Sequence, residues 1–515
     1  MGFLVLLSLL PIFTLFIIIH ILKLKSTRRK SSIPPPGPKP LPIIGYLHKI
    51  DPSSPHQSLW QLSKHYGPIM YLHLGYIPTL VVSSSKMAKE VMQTHDLKFA
   101  SRPSFLGLRK LSYNCLDLAF APYSPYWKEM KKLCALHLFS SQRIHSFRSI
   151  RENEVAQLIQ KLSQYVGDEK GVNLSETMMS FTNTLICKIA FGKKYVVDYE
   201  EEVDLGSERR SRLQILLNEA QALLSEFYFS DHFPLFGWVD RVKGTLRRLD
   251  KTFKELDLIY QRVIDDHMNN LGRPKNKEQE VVDIIDILLQ MMNDHSLSFE
   301  LTLDHIKALL MNIFLAGTDT SSAIVVWAMT ALMNNPRVMN KVQMEIRNLY
   351  EDKDFLNEDD IEKLLYLKSV VKETMRLFPP SPLLVPRETM ENCNIDGYEI
   401  KPKTLVYVNA WAIGRDPEDW EDPEEFYPER FVTSSVDFKG KNFELIPFGS
   451  GRRMCPAMNM GVLTVELSLA NLLHSFDWKL PNGFDKEQVL DTQVKPGITM
   501  HKKIDLYLVP KKRKS

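Results

Sequence analysis

PFGSGRRMCPAMNMG, Pro447 to Gly461, sets two glycines and two arginines ahead of a cysteine and then opens onto an apolar run. Gly449 and Gly451 permit a tight turn and the close approach of a flat ligand. Pro456 restricts the backbone of Cys455. NMGVLTVELSLANLLHSF then carries helical spacing, so a helix is expected from about Ala457 to Phe476, with Cys455 at its mouth. Backbone N–H groups and the helix dipole favour an anionic sulfur there. Such a cysteine is a redox centre, a nucleophile, the axial ligand of an iron, or a small structural hydrophobe. No base is signposted nearby to activate a nucleophile.

The chain around it has 515 residues, 44% hydrophobic and 25% charged, as in ordinary globular proteins. A net charge of +3 gives no reason to invoke nucleic acid. Cys115, Cys134, Cys187, Cys393 and Cys455 are scattered and odd in number. They form neither a zinc pattern nor a disulfide framework, and fit a reducing compartment. No linker, repeat or low-complexity tract divides residues 46–515, which read as one domain.

The start differs. Residues 1–22, with GFLVLLSLLPIFTLFIIIHIL, cover about 30 Å as a helix, one bilayer core. KLKSTRRK follows, placing positive charge after the apolar run. A cleaved signal peptide has the opposite order, so an uncleaved single-pass anchor with a cytosolic body is expected. Residues 23–45 form this basic flank and a stiff proline-rich hinge, SSIPPPGPKPLPIIG.

Coarse patterning gives a short helix and two strands over HQSLWQLSKHYGPIMYLHLGYIPTLVVSS, then a helix with Ser85 as cap. Long helices are expected over Ser141–Val166, Arg209–Ser230 and Gly244–Asn270, with an exposed polar loop at Gly272–Glu280. The segment Thr302–Met333 is the most apolar of the body, with Thr302 as cap and Pro336 as stop. NIDGYEI and TLVYVNAWAI read as short strands. The fold class is mainly α with small mixed β-sheets.

Three motifs together resemble the cytochrome P450 superfamily of haem-thiolate monooxygenases. Phe448, Gly451, Arg453 and Cys455 complete its F-x-x-G-x-R-x-C signature. The pair Glu373 and Arg376 in ETMR, with Arg430 in PERF, matches its buried three-charge network. Ala316–Ser321, AGTDTS, matches its oxygen-activating helix turn. The resemblance implies the cytochrome P450 fold and haem b with Cys455 as axial metal ligand. It places Arg453 on a propionate and Phe448 beside the sulfur. It gives Asp319 and Thr320 the catalytic delivery of protons. Trp127 and Lys131 match W-x-x-x-R, with lysine for the usual arginine, which keeps the charge and loses the bidentate fork. Arg387 is implied as a further propionate partner. Ala457 stands where many plant members carry glycine.

The implied partners are NADPH-cytochrome P450 reductase, cytochrome b5, a lipid bilayer, O2 and a small lipophilic substrate. The implied location is the endoplasmic reticulum membrane. The chain is most similar to a plant subgroup that includes aldoxime-metabolising enzymes. The implied activity is NADPH-dependent oxygen insertion, desaturation or oxidative rearrangement of a terpenoid, alkaloid, phenolic or aldoxime. The other reading, an oxygen-independent haem-thiolate isomerase or dehydratase, is disfavoured by the intact Asp319 and Thr320. By the same resemblance Ser104–Phe120, Phe227, Phe229, Asn312–Ala316, Pro382–Val385, Ile498 and Thr499 face the cavity, and Lys110 and Asn114 either orient a polar group or lie on the surface.

Overall fold

Apolar residues at three- and four-residue spacing make most of the body helical, and the least polar of these segments runs through its centre. The computed structural model describes residues 34–192, 202–204, 209–270, 282–294, 297–483, 485, 487 and 490–513. The expected anchor at 1–22, its basic flank and the polar loop at 272–280 lie outside the described residues.

The central helix is Leu303–Asn334, with Thr302 at its N-cap and Pro336 starting the next helix. Among the described residues it alone is long and apolar enough to cross a bilayer, yet most of it is buried within the body. Helix Leu174–Phe191 packs along it. Gly317 allows this approach, since a Cβ there would lie 2.7 Å from Ile186 Cδ1. Helix Met458–Ser475, which follows Cys455, packs against it elsewhere, and a Cβ on Gly461 would meet Ser321 Oγ at 3.9 Å. The cysteine turn and the AGTDTS turn therefore come from elements in direct contact.

Small sheets flank the helices. The antiparallel hairpin of Ile69–Leu74 and Ile77–Val82 is extended in parallel by Leu405–Val408, which pairs antiparallel with Arg387–Glu388. A second sheet joins Phe476–Lys479, Tyr507–Lys512 and Val172–Asn173. The mainly helical fold with small mixed sheets is the one expected.

Several boundaries differ. The expected helix over Ser141–Val166 is two, Ser141–Ser146 and Arg148–Ser163, broken where Phe147 turns fully into the core. Ser84, not Ser85, caps the following helix by accepting from Met87 N–H. The helix expected over Arg209–Ser230 spans Arg212–Ser225. TLVYVNAWAI is strand only to Val408, because Asn409 caps a short helix, Ala410–Ile413, by accepting from Ala412 N–H at 3.1 Å. The proline-rich segment lies against the first hairpin, with Pro36 O accepting from Tyr71 N at 2.8 Å and His73 O from Tyr46 N at 2.7 Å.

Candidate active site

Cys455 is the exposed cysteine among five; Cys115, Cys134, Cys187 and Cys393 are buried. Its N–H donates to Phe448 O at 3.0 Å, closing the turn. Gly451 has φ 71° and a Cβ there would lie 2.3 Å from Met92 O, so glycine is required. The following helix starts at Met458, with Ala457 at its N-cap. Although the residue keeps an accessible surface, the protein packed around its sulfur desolvates the thiol and pushes it up to about 11, against the Ala457 N–H, which lowers it. A cation on the sulfur reverses this balance and holds it as thiolate. Phe448 is half-buried, 5.5 Å from the Phe438 ring.

On the central helix, Ala316 is exposed and Thr320 half-buried, next to the buried Thr318 and Asp319. Small side chains thus open the helix wall at this level. Thr320 Oγ1 donates to Ala316 O at 2.7 Å, and Thr182 Oγ1 donates to Thr318 O at 2.8 Å. These bonds place hydroxyls along the turn, as expected for threonines inside a helix. Asp319 is buried and its Oδ1 lies 2.7 Å from His501 Nε2.

The basic residues converge beside the cysteine turn. Arg453 donates from Nε to Ala100 O at 2.7 Å and from Nη2 to Ala121 O at 2.6 Å, and its guanidinium sits 4.0 Å over Trp127. Arg387 donates to Asp96 at 3.2 Å and Ser450 O at 2.9 Å. Trp127 Nε1 donates to Leu118 O at 3.0 Å, and Lys131 Nζ to Arg452 O at 2.6 Å. The structure therefore groups Trp127, Lys131, Arg387 and Arg453, with the indole N–H already committed to backbone.

Sequence reasoning missed Arg102, which is buried and donates to Ala119 O at 3.0 Å, Val385 O at 2.6 Å and Pro386 O at 2.8 Å. It carried no motif signal; only tertiary packing brings it here. Burial, then the Arg453 and Arg387 charges, hold Arg102 well below the usual range. Arg453 falls to about 9 through burial first and Arg387 next. The carboxylates in this cluster are Asp96 and Asp117, and burial pushes Asp117 up to about 6. Several crowded, desolvated guanidinium groups against so little negative charge fit a dianionic guest. Haem with its two propionates meets that requirement, and Cys455 is the accessible sulfur beside the cluster.

Asn312, expected to face the cavity, ties the 117–119 loop to the central helix. Its Oδ1 accepts from Leu118 N at 3.1 Å and Ala119 N at 3.0 Å, and its Nδ2 donates to Asp117 Oδ2 at 2.7 Å. Asp117 is fully buried. The loop that carries the cation contacts is thereby clamped to the central helix. Asn312→Ala strands these groups at about 1–3 kcal/mol. Its expected result is faster amide exchange across 112–121 in otherwise folded protein; unchanged exchange there would refute the clamp.

Other expectations divide. Lys110 pairs with Asp250 at 2.9 Å and is 39% exposed, so it belongs to the surface; Asn114 is exposed. Phe227 and Phe229 lie 5.4 Å apart in an aromatic cluster, with Phe227 stacked on His232 at 4.5 Å. Ile498 and Thr499 line a cavity of about 280 Å³ together with Asp319.

The fold and this grouping define a haem-thiolate monooxygenase. The chain belongs to the cytochrome P450 family, whose profile, described as Cytochrome P450, matches residues 35–509. It is of the plant type. It is 48% identical to 5-OH-xanthotoxin synthase of Pastinaca sativa over 93% of both chains. It is 47% identical to 6,7,8-trihydroxycoumarin synthase of the same plant, again over 93% of both. It is 49% identical to Cytochrome P450 71B37 of Arabidopsis thaliana over 95% of both. A zebra fish cytochrome P450 structure with progesterone superposes with a TM-score of 0.73 at 26% identity, covering 89% of this chain and 99% of that one. Membership makes the protein an oxidoreductase that uses haem with thiolate ligation and takes electrons from a reductase partner.

Proposed function

We propose that Cys455 is the axial ligand and that the protein oxidises a small lipophilic plant metabolite with O2 and NADPH-derived electrons. The observation that carries this is the accessible cysteine of a complete signature, set in the turn just before helix Met458–Ser475, which packs on the central helix at Ser321 beside the Ala316–Thr320 opening. Haem held by a thiolate supplies the oxygen chemistry, with the sulfur's electron density favouring O–O cleavage.

The chain's own residues do the rest. Arg387, Arg453 and Lys131, joined by Arg102, would hold the carboxylate side of the cofactor, with Trp127 stacked against Arg453. Phe448 covers the sulfur side. Thr320 presents a hydroxyl to the pocket, and Asp319 moves protons toward it. Candidate substrates remain terpenoid, alkaloid, phenolic or aldoxime; two relatives are named for hydroxylated coumarins, which favours ring hydroxylation of a planar phenolic.

Two surfaces support the partners. Lys128, Lys132, Lys439, Lys441 and Arg452 are exposed around the cysteine turn and suit an acidic electron donor, NADPH-cytochrome P450 reductase or cytochrome b5. Leu235, Trp238 and Val242 are 67%, 62% and 76% exposed, and suit contact with a bilayer. With an anchor at 1–22 they would seat the body on the cytosolic face of the endoplasmic reticulum membrane.

Microsomes with a plant reductase, fed a phenolic, terpenoid, alkaloid and aldoxime panel under ¹⁸O2, test the reading. A product carrying one labelled oxygen, or lacking two hydrogens, is expected. Turnover that proceeds without O2 and NADPH would replace it with isomerisation or dehydration.

A further inference from the structure

We propose that His501 is a positioning and proton-supplying residue for Asp319, fed from a polar cavity beside the central helix. This rests on the reading of Asp319 and Thr320 as the proton-delivery pair.

The cavity of about 280 Å³ meets the central helix at Asp319, Ser322, Ala323, Val326 and Trp327. Ala316 and Thr320 do not line it, so Asp319 alone of the pair faces it. His501 also lines it and closes on Asp319 Oδ1 through Nε2 at 2.7 Å. The imidazole side chain is 27% exposed against 9% for Asp319, so the pair grades from wetter to drier. Asp319 is thus a buried acid whose proton supply must come through a neighbour, and the histidine is the titratable neighbour bonded to it.

The other charges around the cavity have partners of their own. Lys495 pairs with Asp505 at 2.9 Å, Lys502 bonds Asp491 O, and Glu176 accepts from Gln214 at 2.8 Å. Helix Arg212–Ser225 contributes only the neutral Asn218, Gln221 and Ala222. Burial lowers the affinity of His501 for a proton, but the Asp319 carboxylate more than offsets it and the net shift is upward; Lys495 opposes and Asp505 assists. The Asp319 contact thus keeps the ring protonated to higher pH than a free imidazole.

The step balances without electron transfer. Hydronium reaching the cavity from bulk solvent gives a proton to Nδ1 and is left as water, the Nε2–H bond breaks, and an O–H bond forms on Asp319. The ring is left neutral with its proton on Nδ1, and Asp319 carries the proton toward Thr320. Once Asp319 has passed its proton on, Nδ1 gives its proton back to cavity water and Nε2 takes one from it, which restores the starting tautomer.

The test compares His501→Gln, His501→Lys, Asp319→Asn and Thr320→Ala as reductase-reconstituted holoproteins. The rate of substrate-free NADPH oxidation and its solvent deuterium isotope effect are read. His501→Gln keeps a donor and His501→Lys keeps an ion pair, but neither supplies protons near neutrality. Both are expected to slow oxidation about tenfold and raise the isotope effect, less than the roughly 10²–10⁴-fold of a group that meets the reacting atoms, because His501 acts through Asp319. Thermal unfolding gives a readout independent of turnover. Because the His501 proton affinity is raised in the fold, the wild-type advantage over His501→Gln is full below about pH 6.5 and fades as pH rises through the raised value. Wild-type rates in both His501 variants, with Asp319→Asn slow, would overturn this inference alone. Rescue by His501→Lys but not His501→Gln would reduce His501 to a structural ion pair and overturn it too. Wild-type rates in Asp319→Asn and Thr320→Ala would overturn the underlying proton-delivery reading.

Discussion

Cys455→Ser removes the thiolate-type band from the reduced carbon-monoxide spectrum and lowers turnover by about three orders of magnitude or more. That is about 4 kcal/mol on the barrier at 1.36 kcal/mol per decade. The loss follows from chemistry, since a serine oxygen does not donate charge to iron as a thiolate does. The fold should survive. Cys455 is exposed, and the bond that closes its turn is made by its backbone N–H to Phe448 O. Apoprotein stability is therefore expected to change by less than about 0.5 kcal/mol, the usual range for sites outside the core. Cys134→Ala is the control. It empties a small volume in the core at about 1 kcal/mol and leaves the band in place. A thiolate-type band persisting in Cys455→Ser would show that another group ligates the iron.

Glu373→Ala prevents folded holoprotein from accumulating. Glu373 and Arg376 are essentially inaccessible, at 0% and 1% exposure. Arg376 donates to both Glu373 oxygens, at 2.7 and 2.8 Å, and to the carbonyls of Gly414, Pro423 and Glu425. Glu373 Oε1 also accepts from Tyr427 N at 2.8 Å and from Arg430 Nε at 3.1 Å. The carboxylate thus joins one helix to the 414–430 segment that leads into the cysteine turn. Removing it leaves two guanidinium groups without their counter-charge in the interior. Breaking a buried pair this way costs about 3–5 kcal/mol, a large part of a domain's stability. Arg430→Ala removes a more peripheral cation and is expected to cost less. Denaturant unfolding and haem content check both, with Glu373→Ala well below Arg430→Ala. Equal effects would mean that the helix pair is not the anchor of this network.

Much of the site was legible because its parts are local in sequence. Phe448, Gly451, Arg453 and Cys455 lie within one turn, and Glu373 and Arg376 stand one helical turn apart, so spacing allows them to meet, and the family resemblance implied their joint roles. The central helix was legible from its continuous apolar pattern. Smaller elements were less so. Asn409 turns a strand-like segment into a capped helix, and Phe147 splits a long helical pattern, because a cap or one core side chain outweighs average propensity over a few residues. Lys110 and Asn114 could be read either way from sequence, and the structure puts both at the surface.

The sequence by itself determined the chemistry on offer: a cysteine in a glycine turn, an acid and a threonine in an apolar helix, and an acid and a base one turn apart on another helix, which the family resemblance linked to Arg430. Tertiary structure alone decided what surrounds them. Arg102 meets Val385 and Pro386 across 283 and 284 residues, Asn312 meets Asp117 across 195, and His501 meets Asp319 across 182. The reason is physical. Helical periodicity and turn chemistry act over a few residues and leave a pattern that can be read, whereas long-range contacts depend on how whole elements pack. One polar side chain in a loop carries no mark of the partner it will meet.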